Sequence, residues 1–441
     1  MAKELTKELL ASLKERYDAD PKARAVRRAL TRTDIFDIAK IQENDNKVQY
    51  HFDINIETME ATDQKDSGRC WIFAGTNFLR EEVAKKCKIK EFELSQNYVA
   101  FWDKLEKINW TMESIISLKD AEWDDRTLMW VLRTGVGDGG QWDMFAGIIK
   151  KYGIVPKSAF PETFASSDTW HWEYLVERRL RRFAADVQRN SDDPAKIEEL
   201  REKCFEELYS FSVSCFGEVP ETFDFEYVDK DNKYHIDRGL DPHSFYEKYV
   251  GLDLDEYASL ITSPTKDKPF HERYTVNYVG NIVGNKVVYL NITMKELRDA
   301  VVAQLKDGQI VWFGCDCGAW GDRKSGVWDM NNYDLAALFD LDVELSKEDS
   351  LLYSESAMNH AMCITGVAFD EHGEPCKWKI ENSWGDKNGE KGYYLASAEW
   401  FDLYVYQAVV NRKYLSEEIL QCLGKEPHEL DPWDPMGTLA D

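Results

Sequence analysis

Apolar residues recur at helical spacing along the first part of the chain. Residues 3–18 repeat an apolar side chain every three or four positions, at Leu5, Leu9, Leu10, Leu13 and Tyr17. This spacing predicts an amphipathic helix that ends near Asp20 and Pro21. The helix is long enough to pack against another domain or subunit.

Further helical patterns follow in the first 212 residues. They predict a buried helix that begins near Cys70, and helices over 94–105, 126–133, 144–152, 170–190 and 194–212. Ser95 is suited to cap the helix over 94–105, because its hydroxyl can accept a hydrogen bond from the first turn.

Short runs of β-branched and aromatic residues dominate after Pro264. Together with one helix over 294–305, they predict strands within 274–293 and over 310–314, 361–369, 378–381, 393–395 and 404–410. An earlier run, 47–56, alternates in part and predicts a short strand. The pattern therefore predicts an α+β chain with a helical first half and a β-rich second half.

Residues 64–80, QKDSGRCWIFAGTNFLR, hold the first candidate for chemistry. Cys70 falls on the first helical turn, where unpaired backbone N–H groups and the helix dipole favour a thiolate. Gln64 precedes it on a loop and can reach back as an amide donor. A nucleophile beside such a donor suggests acyl transfer with an oxyanion hole. The alternative is that Cys70 is a small core residue, as most cysteines are.

Two later stretches favour the catalytic interpretation. His360 opens an apolar run, and residues 381–385 read Glu-Asn-Ser-Trp-Gly, so His360 and Asn382 lie at strand ends that one hairpin can bring together. With the Gly-x-Cys-Trp context of Cys70, these residues resemble the papain family of cysteine peptidases, which use Cys-His-Asn. The tail PWDPMGTLAD narrows the resemblance to the bleomycin hydrolase and aminopeptidase C branch.

The resemblance implies a role for each matched residue. It implies Cys70 as the nucleophile, His360 as the base and acid, and Asn382 as the residue that orients His360. It also implies Gln64 as an oxyanion donor and Trp384 as the side chain that shelters the His–Asn hydrogen bond. Two departures stand out. Ser67 stands where the secreted members have a second cysteine. Cys70 and His360 are also farther apart in sequence than the usual separation of about 130–150 residues, by about 150 residues.

Residues 135–143, GVGDGGQWD, are rich in glycine. A phosphate loop is not indicated, because no Lys-Ser or Lys-Thr pair follows and no βαβ pattern surrounds the glycines. Gly139 and Gly140 resemble the Gly-Gly pair of papain-like clefts, where bare backbone can hydrogen-bond an extended peptide substrate. A simple tight turn is the open alternative.

Composition narrows the choice of partners and compartment. The chain has 441 residues, with 55 Lys and Arg against 81 Asp and Glu, and its net charge of −26 argues against nucleic acid as a partner. The best local basic run is Arg178, Arg179, Arg181 and Arg182, for which a solvated helix face is the preferred interpretation.

Cysteine usage predicts a reducing environment. The nine cysteines show no regular spacing, and with Ser67 they suggest free thiols in the cytoplasm. Cys315 and Cys317 form a close pair without nearby histidines, so we interpret them as structural rather than zinc ligands. No apolar leader and no membrane-spanning stretch is visible.

The expected architecture is a papain-like α+β fold in four parts: a helical half with Cys70 (1–164), a helical insertion (165–260), a β-rich, barrel-like half with His360 and Asn382 (261–425), and a tail (426–441). In the resembling branch an inserted arm assembles a hexamer around a central cavity, so a homo-oligomer is expected. The insertion carries an apolar stripe that fits an interface or a small separate core. The stripe consists of Phe205, Leu208, Tyr209 and Phe211.

The tail carries prolines at 427, 432 and 435, so the sequence predicts an extended segment that cannot be a helix. Trp433, Met436 and Leu439 offer apolar anchors. In the resembling branch the tail lies in the cleft, and its carboxylate faces the α-ammonium of the substrate. The resemblance therefore implies Ala440 as the substrate-binding terminus, with Asp441 removed by the enzyme's own active site.

The expected function is a cysteine aminopeptidase that hydrolyses peptides through a thioester and needs no metal or organic cofactor. Two alternatives stay open. One is a papain-like endopeptidase that accepts internal peptide bonds. The other is a scaffold or binding protein that keeps the fold without catalysis.

Overall fold

The computed structural model describes residues 3–45 and 48–440. Its amino-terminal segment contains α1 (Lys7–Ala19), α2 (Pro21–Leu30), α3 (Ile35–Ala39), α4 (Gln42–Asp45) and β1 (Ile54–Asn55). Thr6 caps α1 by accepting a hydrogen bond from the Leu9 N–H, and Asp20 both ends α1 and caps α2. The strand predicted over 47–56 is confined to β1, and position 47 lies outside the described residues.

The helical half follows the predicted pattern closely. It contains α5 (Cys70–Cys87), α6 (Gln96–Ser117), α7 (Arg126–Thr134), α8 (Trp142–Tyr152) and α9 (Phe164–Ser167). Ser95 caps α6, as predicted, by accepting a hydrogen bond from the Tyr98 N–H. Most residues of α5 are buried on every side of the helix, which makes it the central helix of this half.

The segment 165–260 is not wholly helical. It contains α10 (Trp170–Arg189) and α11 (Pro194–Phe216), then a hairpin of β2 (Phe223–Val228) and β3 (Tyr234–Leu240), and α12 (Pro242–Phe245). The hairpin was not predicted, because its strands carry charged residues between their aromatics. Leu208 is buried in a core shared by α6, α10 and α11, and Phe205 and Phe211 pack against it, so only Tyr209 of the predicted stripe is exposed.

The β-rich half begins inside the predicted insertion, because residue 260 lies within β4 (Tyr257–Ile261), which pairs with later strands. The remaining strands are β5 (Arg273–Val276), β6 (Tyr289–Asn291), β7 (Val311–Cys315), β8 (Gly321–Asp322), β9 (Val327–Trp328), β10 (His360–Phe369), β11 (Pro375–Glu381), β12 (Tyr393–Ser397), β13 (Val405–Asn411) and β14 (His428–Leu430). The helices of this half are α13 (Met294–Lys306), α14 (Leu335–Phe339), α15 (Lys347–Leu352), α16 (Ala398–Tyr404) and α17 (Glu417–Cys422).

One large sheet organises this half. Its strand order is β14-β5-β6-β4-β13-β7-β10-β11-β12-β9-β8, and β1 pairs with β10 from outside this path. One core fills the space between this sheet and the helices α5 and α8, and a second lies between the sheet and the helices α13 and α16. The start of α5 therefore meets the start of β10 across the first core.

The tail corrects one prediction. β14 is extended, but Pro435–Ala440 forms a 3₁₀ helix rather than extended backbone. Proline is tolerated here because it occupies the first helical position, where its missing N–H has no helical partner to lose. Met436 and Leu439 are buried, and Trp433 is half-buried beneath the guanidinium of Arg126, 3.5 Å from its ring centre.

Candidate active site

The loop before α5 is held in place by several side chains. The Arg69 guanidinium donates to both carboxylate oxygens of Glu162, at 3.3 and 3.0 Å, and to the Ser67 hydroxyl at 3.0 Å. The Gly68 N–H donates to Asp138 Oδ2 at 2.6 Å. These contacts fix the turn that delivers Cys70 to the first position of α5, where no side chain caps the helix.

The Cys70 sulfur lies at the contact between the two halves. The Ala361 N–H, on β10, donates to Sγ at 3.4 Å, and the side chain is buried. Burial raises the pKa of the Cys70 thiol to about 11, against the opposing effect of the Ala361 and Trp71 N–H groups. Burial at this contact therefore favours the neutral thiol over the thiolate.

His360 is the first residue of β10, and its ring is held on two sides. Nε2 lies 2.8 Å from Asn382 Oδ1, an acceptor, so this nitrogen carries the proton and Nδ1 is the basic nitrogen. The indole of Trp384 stacks on the imidazole with ring centres 4.7 Å apart. Burial lowers the pKa of His360 to about 4, although the hydrogen bond to Asn382 acts in the opposite direction.

Gln64 lies buried between the loop and the strand ends. Its Oε1 accepts a hydrogen bond from the Ser383 hydroxyl at 2.7 Å, and its Nε2 donates to the Ser67 carbonyl at 2.6 Å. A carboxamide carries two N–H donors, so one remains to face a developing oxyanion. The structure thus brings together Cys70, His360, Asn382, Gln64 and Trp384, from distant parts of the sequence.

Gly140 binds the chain's own tail. Its N–H donates to the Leu439 carbonyl at 2.8 Å. A Cβ on Gly140 would lie 2.3 Å from the Trp71 ring, so only glycine fits here. Gly139 does not use its N–H in the same way. Its carbonyl accepts a hydrogen bond from Lys107 Nζ at 2.5 Å.

The tail reaches the strand side of the cleft as well. The Thr438 hydroxyl donates to the Met358 carbonyl at 2.9 Å, and a Cβ built on Gly314 would lie 3.4 Å from the Leu439 side chain. Ala440 lines a small cavity of about 30 Å³ beside Lys107 and Tyr278. Asp441 lies outside the described residues.

Asp138 is the residue that the sequence analysis missed. Its carboxylate accepts from the Gly68 N–H and from the Thr169 hydroxyl, both at 2.6 Å, and pairs with Lys104 at 2.7 Å. Lys104 is fully buried and also pairs with Glu173 on α10, at 2.7 Å. Burial raises the pKa of Asp138, but Lys104, the Thr169 hydroxyl and Arg69 together hold it below its usual value. The available signal was an acidic residue, Asp138, placed between the glycines at 137 and 139.

Residues 3–45 and 48–440 contain no group of three or more His, Cys, Asp or Glu side chains placed to hold a metal ion. Within the same ranges, none of the helices combines the length and apolar character required to cross a bilayer.

Comparison with known proteins gives matches over essentially the whole chain. The model of the peptidase C1-like family matches residues 4–437. Aminopeptidase C of Listeria monocytogenes is 41% identical over 441 residues and all of both chains, and aminopeptidase C of Streptococcus thermophilus is 42% identical over 428 residues, 96% of each chain. The crystal structure of PepW from Lactobacillus rhamnosis is 43% identical, with a TM-score of 0.97 over 99% of each chain. The likeness includes the segment 165–260 and the tail as well as the cleft.

Proposed function

Because this chain belongs to the peptidase C1-like family, we propose that it is a cysteine aminopeptidase, which removes N-terminal residues from peptides. The observation that carries the proposal is the hydrogen bond between Gly140 and Leu439, since it fills one side of the cleft with the chain's own end. A peptide that extends far in that direction would collide with the tail.

The reaction begins at the buried thiol. His360 Nδ1 takes the Cys70 proton as the sulfur attacks the scissile carbonyl, and Asn382 keeps the imidazole in the required tautomer. Burial raises the pKa of Cys70 and lowers the pKa of His360. Water and a polar substrate that enter the cleft reduce this effect of burial, so the two pKa values move closer together. The Cys70 thiolate and the His360 imidazolium then form as the substrate binds.

The oxyanion is stabilised by two donors, the Gln64 side-chain amide and the Cys70 backbone N–H. Each is worth roughly 3–4 kcal/mol of transition-state stabilisation. His360 then protonates the leaving amine, which breaks the peptide bond and leaves a thioester. Water, deprotonated by the same imidazole, hydrolyses the thioester and returns the thiol.

The tail gives the enzyme its preference for free N-termini. Its terminal carboxylate, at Ala440 after loss of Asp441, attracts the substrate's α-ammonium, while its bulk blocks longer peptides. At about 4 Å such a pair gains roughly 4 kcal/mol at an effective dielectric near 20, before desolvation. Removal of Asp441 by the enzyme itself would appear in intact mass for the wild type but not for Cys70→Ala. An active wild type that retains Asp441 would rule the trimming out.

We also propose that the protein is a cytoplasmic homo-oligomer, a hexamer as in the resembling branch. The cytoplasmic location is supported by nine cysteines that are all free thiols. Assembly is supported by exposed apolar side chains at the start of the segment 165–260, where Trp170, Tyr174 and Leu175 are each about half exposed or more.

The test compares fluorogenic single-residue amides with their N-blocked forms, with and without a thiol reagent. The aminopeptidase is expected to cleave the free amides, to spare the blocked forms and to lose activity with the reagent. Cys70→Ala should abolish turnover while it keeps the fold and the assembly. Equal cleavage of blocked substrates favours the endopeptidase, and a Cys70→Ala variant that keeps a tenth of the wild-type rate refutes the nucleophile.

A further inference from the structure

Arg323 lies over Trp384, the ring that stacks on His360. Its Cζ is 4.3 Å from the centre of the Trp384 ring, and that ring stacks on His360 at 4.7 Å. Within the described chain the guanidinium makes no ion pair, and the side chain is exposed. Its five N–H donors are therefore available to an anion.

Hydrogen bonds hold the turn that carries Arg323. Asp322 accepts hydrogen bonds from the Lys324 N–H at 2.9 Å and the Ser325 N–H at 3.3 Å, and its carboxylate pairs with Lys40. The Arg323 carbonyl accepts from the Tyr394 hydroxyl at 3.4 Å. A guanidinium held by such a turn and by stacking loses less freedom on binding than a free side chain.

The sheet order fixes the side of the cleft on which Arg323 lies. β7 and β11 flank β10, which begins at His360. The tail contacts the β7 side, beside Gly314, whereas Trp384 follows β11. If the tail faces the amino end of the substrate, as the proposed function requires, then Trp384 and Arg323 face the leaving group.

We infer that Arg323, stacked on Trp384, binds the carboxylate of short peptide substrates on the leaving-group side. Extended peptide advances about 3.4 Å per residue, so a carboxylate one or two residues beyond the scissile bond falls within reach of the guanidinium. Arg binds carboxylates in a bidentate manner. A local cation also offsets the net charge of −26, which otherwise repels anionic substrates. Dipeptides and tripeptides with free C-termini are the preferred substrates.

The experiment measures kcat/KM for Ala-Ala and Ala-Ala-Ala as free acids and as C-terminal amides, using the full chain. Wild type should prefer the acids by about threefold to tenfold, mostly through KM, as expected for a charge-assisted contact at an exposed site. Arg323→Gln should bring the ratio close to one and Arg323→Lys should give an intermediate ratio. The matched control is Lys324→Gln, the exposed neighbour on the same turn, which should keep the wild-type ratio.

Two further arms separate the sources of the effect. An Ala-Glu amide tests whether a side-chain carboxylate serves as well as the terminal one. The acid preference of wild type should also weaken in about 0.5 M KCl, because exposed charge pairs are screened. An enzyme that cleaves single-residue amides but shows no acid preference, or keeps it in Arg323→Gln, overturns this inference alone. Failure on single-residue amides overturns the proposed function instead.

Discussion

The imidazole of His360 lies under two opposing influences. Burial lowers its pKa to about 4, and the hydrogen bond to Asn382 only partly restores it. Because the unfolded chain protonates His360 near its usual pKa of about 6.5, the unfolded state binds the proton first as the pH falls. The neutral imidazole therefore contributes stability above pH 6.5 that is lost between about pH 6.5 and 4.

The lowered pKa of His360 predicts how a substitution at this residue changes stability in acid. His360→Gln should flatten the fall of the melting temperature between pH 6.5 and 4, by up to about 3 kcal/mol in unfolding free energy at the lower end. The control is His372→Gln, on an exposed turn, which should follow wild type. Parallel curves for wild type and His360→Gln would contradict the buried, neutral imidazole.

Lys104 carries a prediction about the loop before Cys70. Its ammonium compensates the buried carboxylate of Asp138 and the half-buried carboxylate of Glu173, so Lys104→Met leaves uncompensated charge and should cost about 3–5 kcal/mol in denaturant unfolding. Because Asp138 also raises the pKa of the Cys70 thiol, alkylation of Cys70 should slow in this variant.

Two variants test that explanation. Adding Asp138→Asn to Lys104→Met should recover part of the lost stability, because it removes one uncompensated charge. The exposed Lys85, paired with Glu82 at 3.0 Å, provides the matched control, and Lys85→Met should cost less than about 1 kcal/mol. Similar losses at Lys104 and Lys85 would show that the buried network is not needed.

The helices and strands that could be predicted are those whose signals are local. The period of α5, the cap at Ser95 and the β-branched run of β10 each lie within a few neighbouring residues. The matches to relatives confirm the α+β class that this pattern predicted and the papain-like architecture that the resemblance implied. The catalytic residues were found because their order along the sequence carries a motif, although their roles stay predictions.

What could not be predicted depends on contacts across the fold. Lys104 occupies an ordinary position in a helical pattern, and only the loop carrying Asp138 makes it a buried ion-pair partner. The tail was predicted to be extended from its prolines, but burial of Met436 and Leu439 selects a 3₁₀ helix. The charged hairpin of β2 and β3 is stabilised by its aromatics packing under α12, which no local pattern reveals.

The tail carries a prediction of its own. Deletion of residues 438–441 removes Leu439 from Gly140 and opens that side of the cleft. Cleavage of N-blocked peptides should rise and cleavage of single-residue amides should fall, so that their ratio changes by at least about tenfold, as roughly 1.4 kcal/mol of lost discrimination requires. Deletion of Asp441 alone is the control. A truncated enzyme with the wild-type preference would show that the tail is not the gate.

Exposed apolar side chains cluster at the start of α10. Exposed Trp170 and Tyr174 stack on each other with ring centres 5.9 Å apart, and exposed Leu175 follows them on α10. Apolar side chains in such a cluster are typical of an interface between subunits. The acidic net charge adds solubility but does not by itself drive association.

Light scattering tests this expectation. Wild type should be a homo-oligomer, with the mass of six chains, and the double substitution Trp170→Ala with Leu175→Asp should shift it to smaller species. Tyr353→Ala, at an exposed tyrosine outside the segment 165–260, should leave the mass unchanged. A wild-type monomer at micromolar concentration would refute the assembly.

The bond between Leu439 and Gly140 also makes the tail a tethered competitor. A tethered segment acts at an effective concentration of about millimolar, however dilute the enzyme is. Any peptide inhibitor that needs the place of Leu439 is therefore weakened, because its dissociation constant is divided by the fraction of molecules in which the tail has left that place. An inhibitor confined to the side of Trp384 is not weakened in this way. The ratio of the two inhibition constants, before and after truncation, measures the strength with which the protein occupies its own cleft.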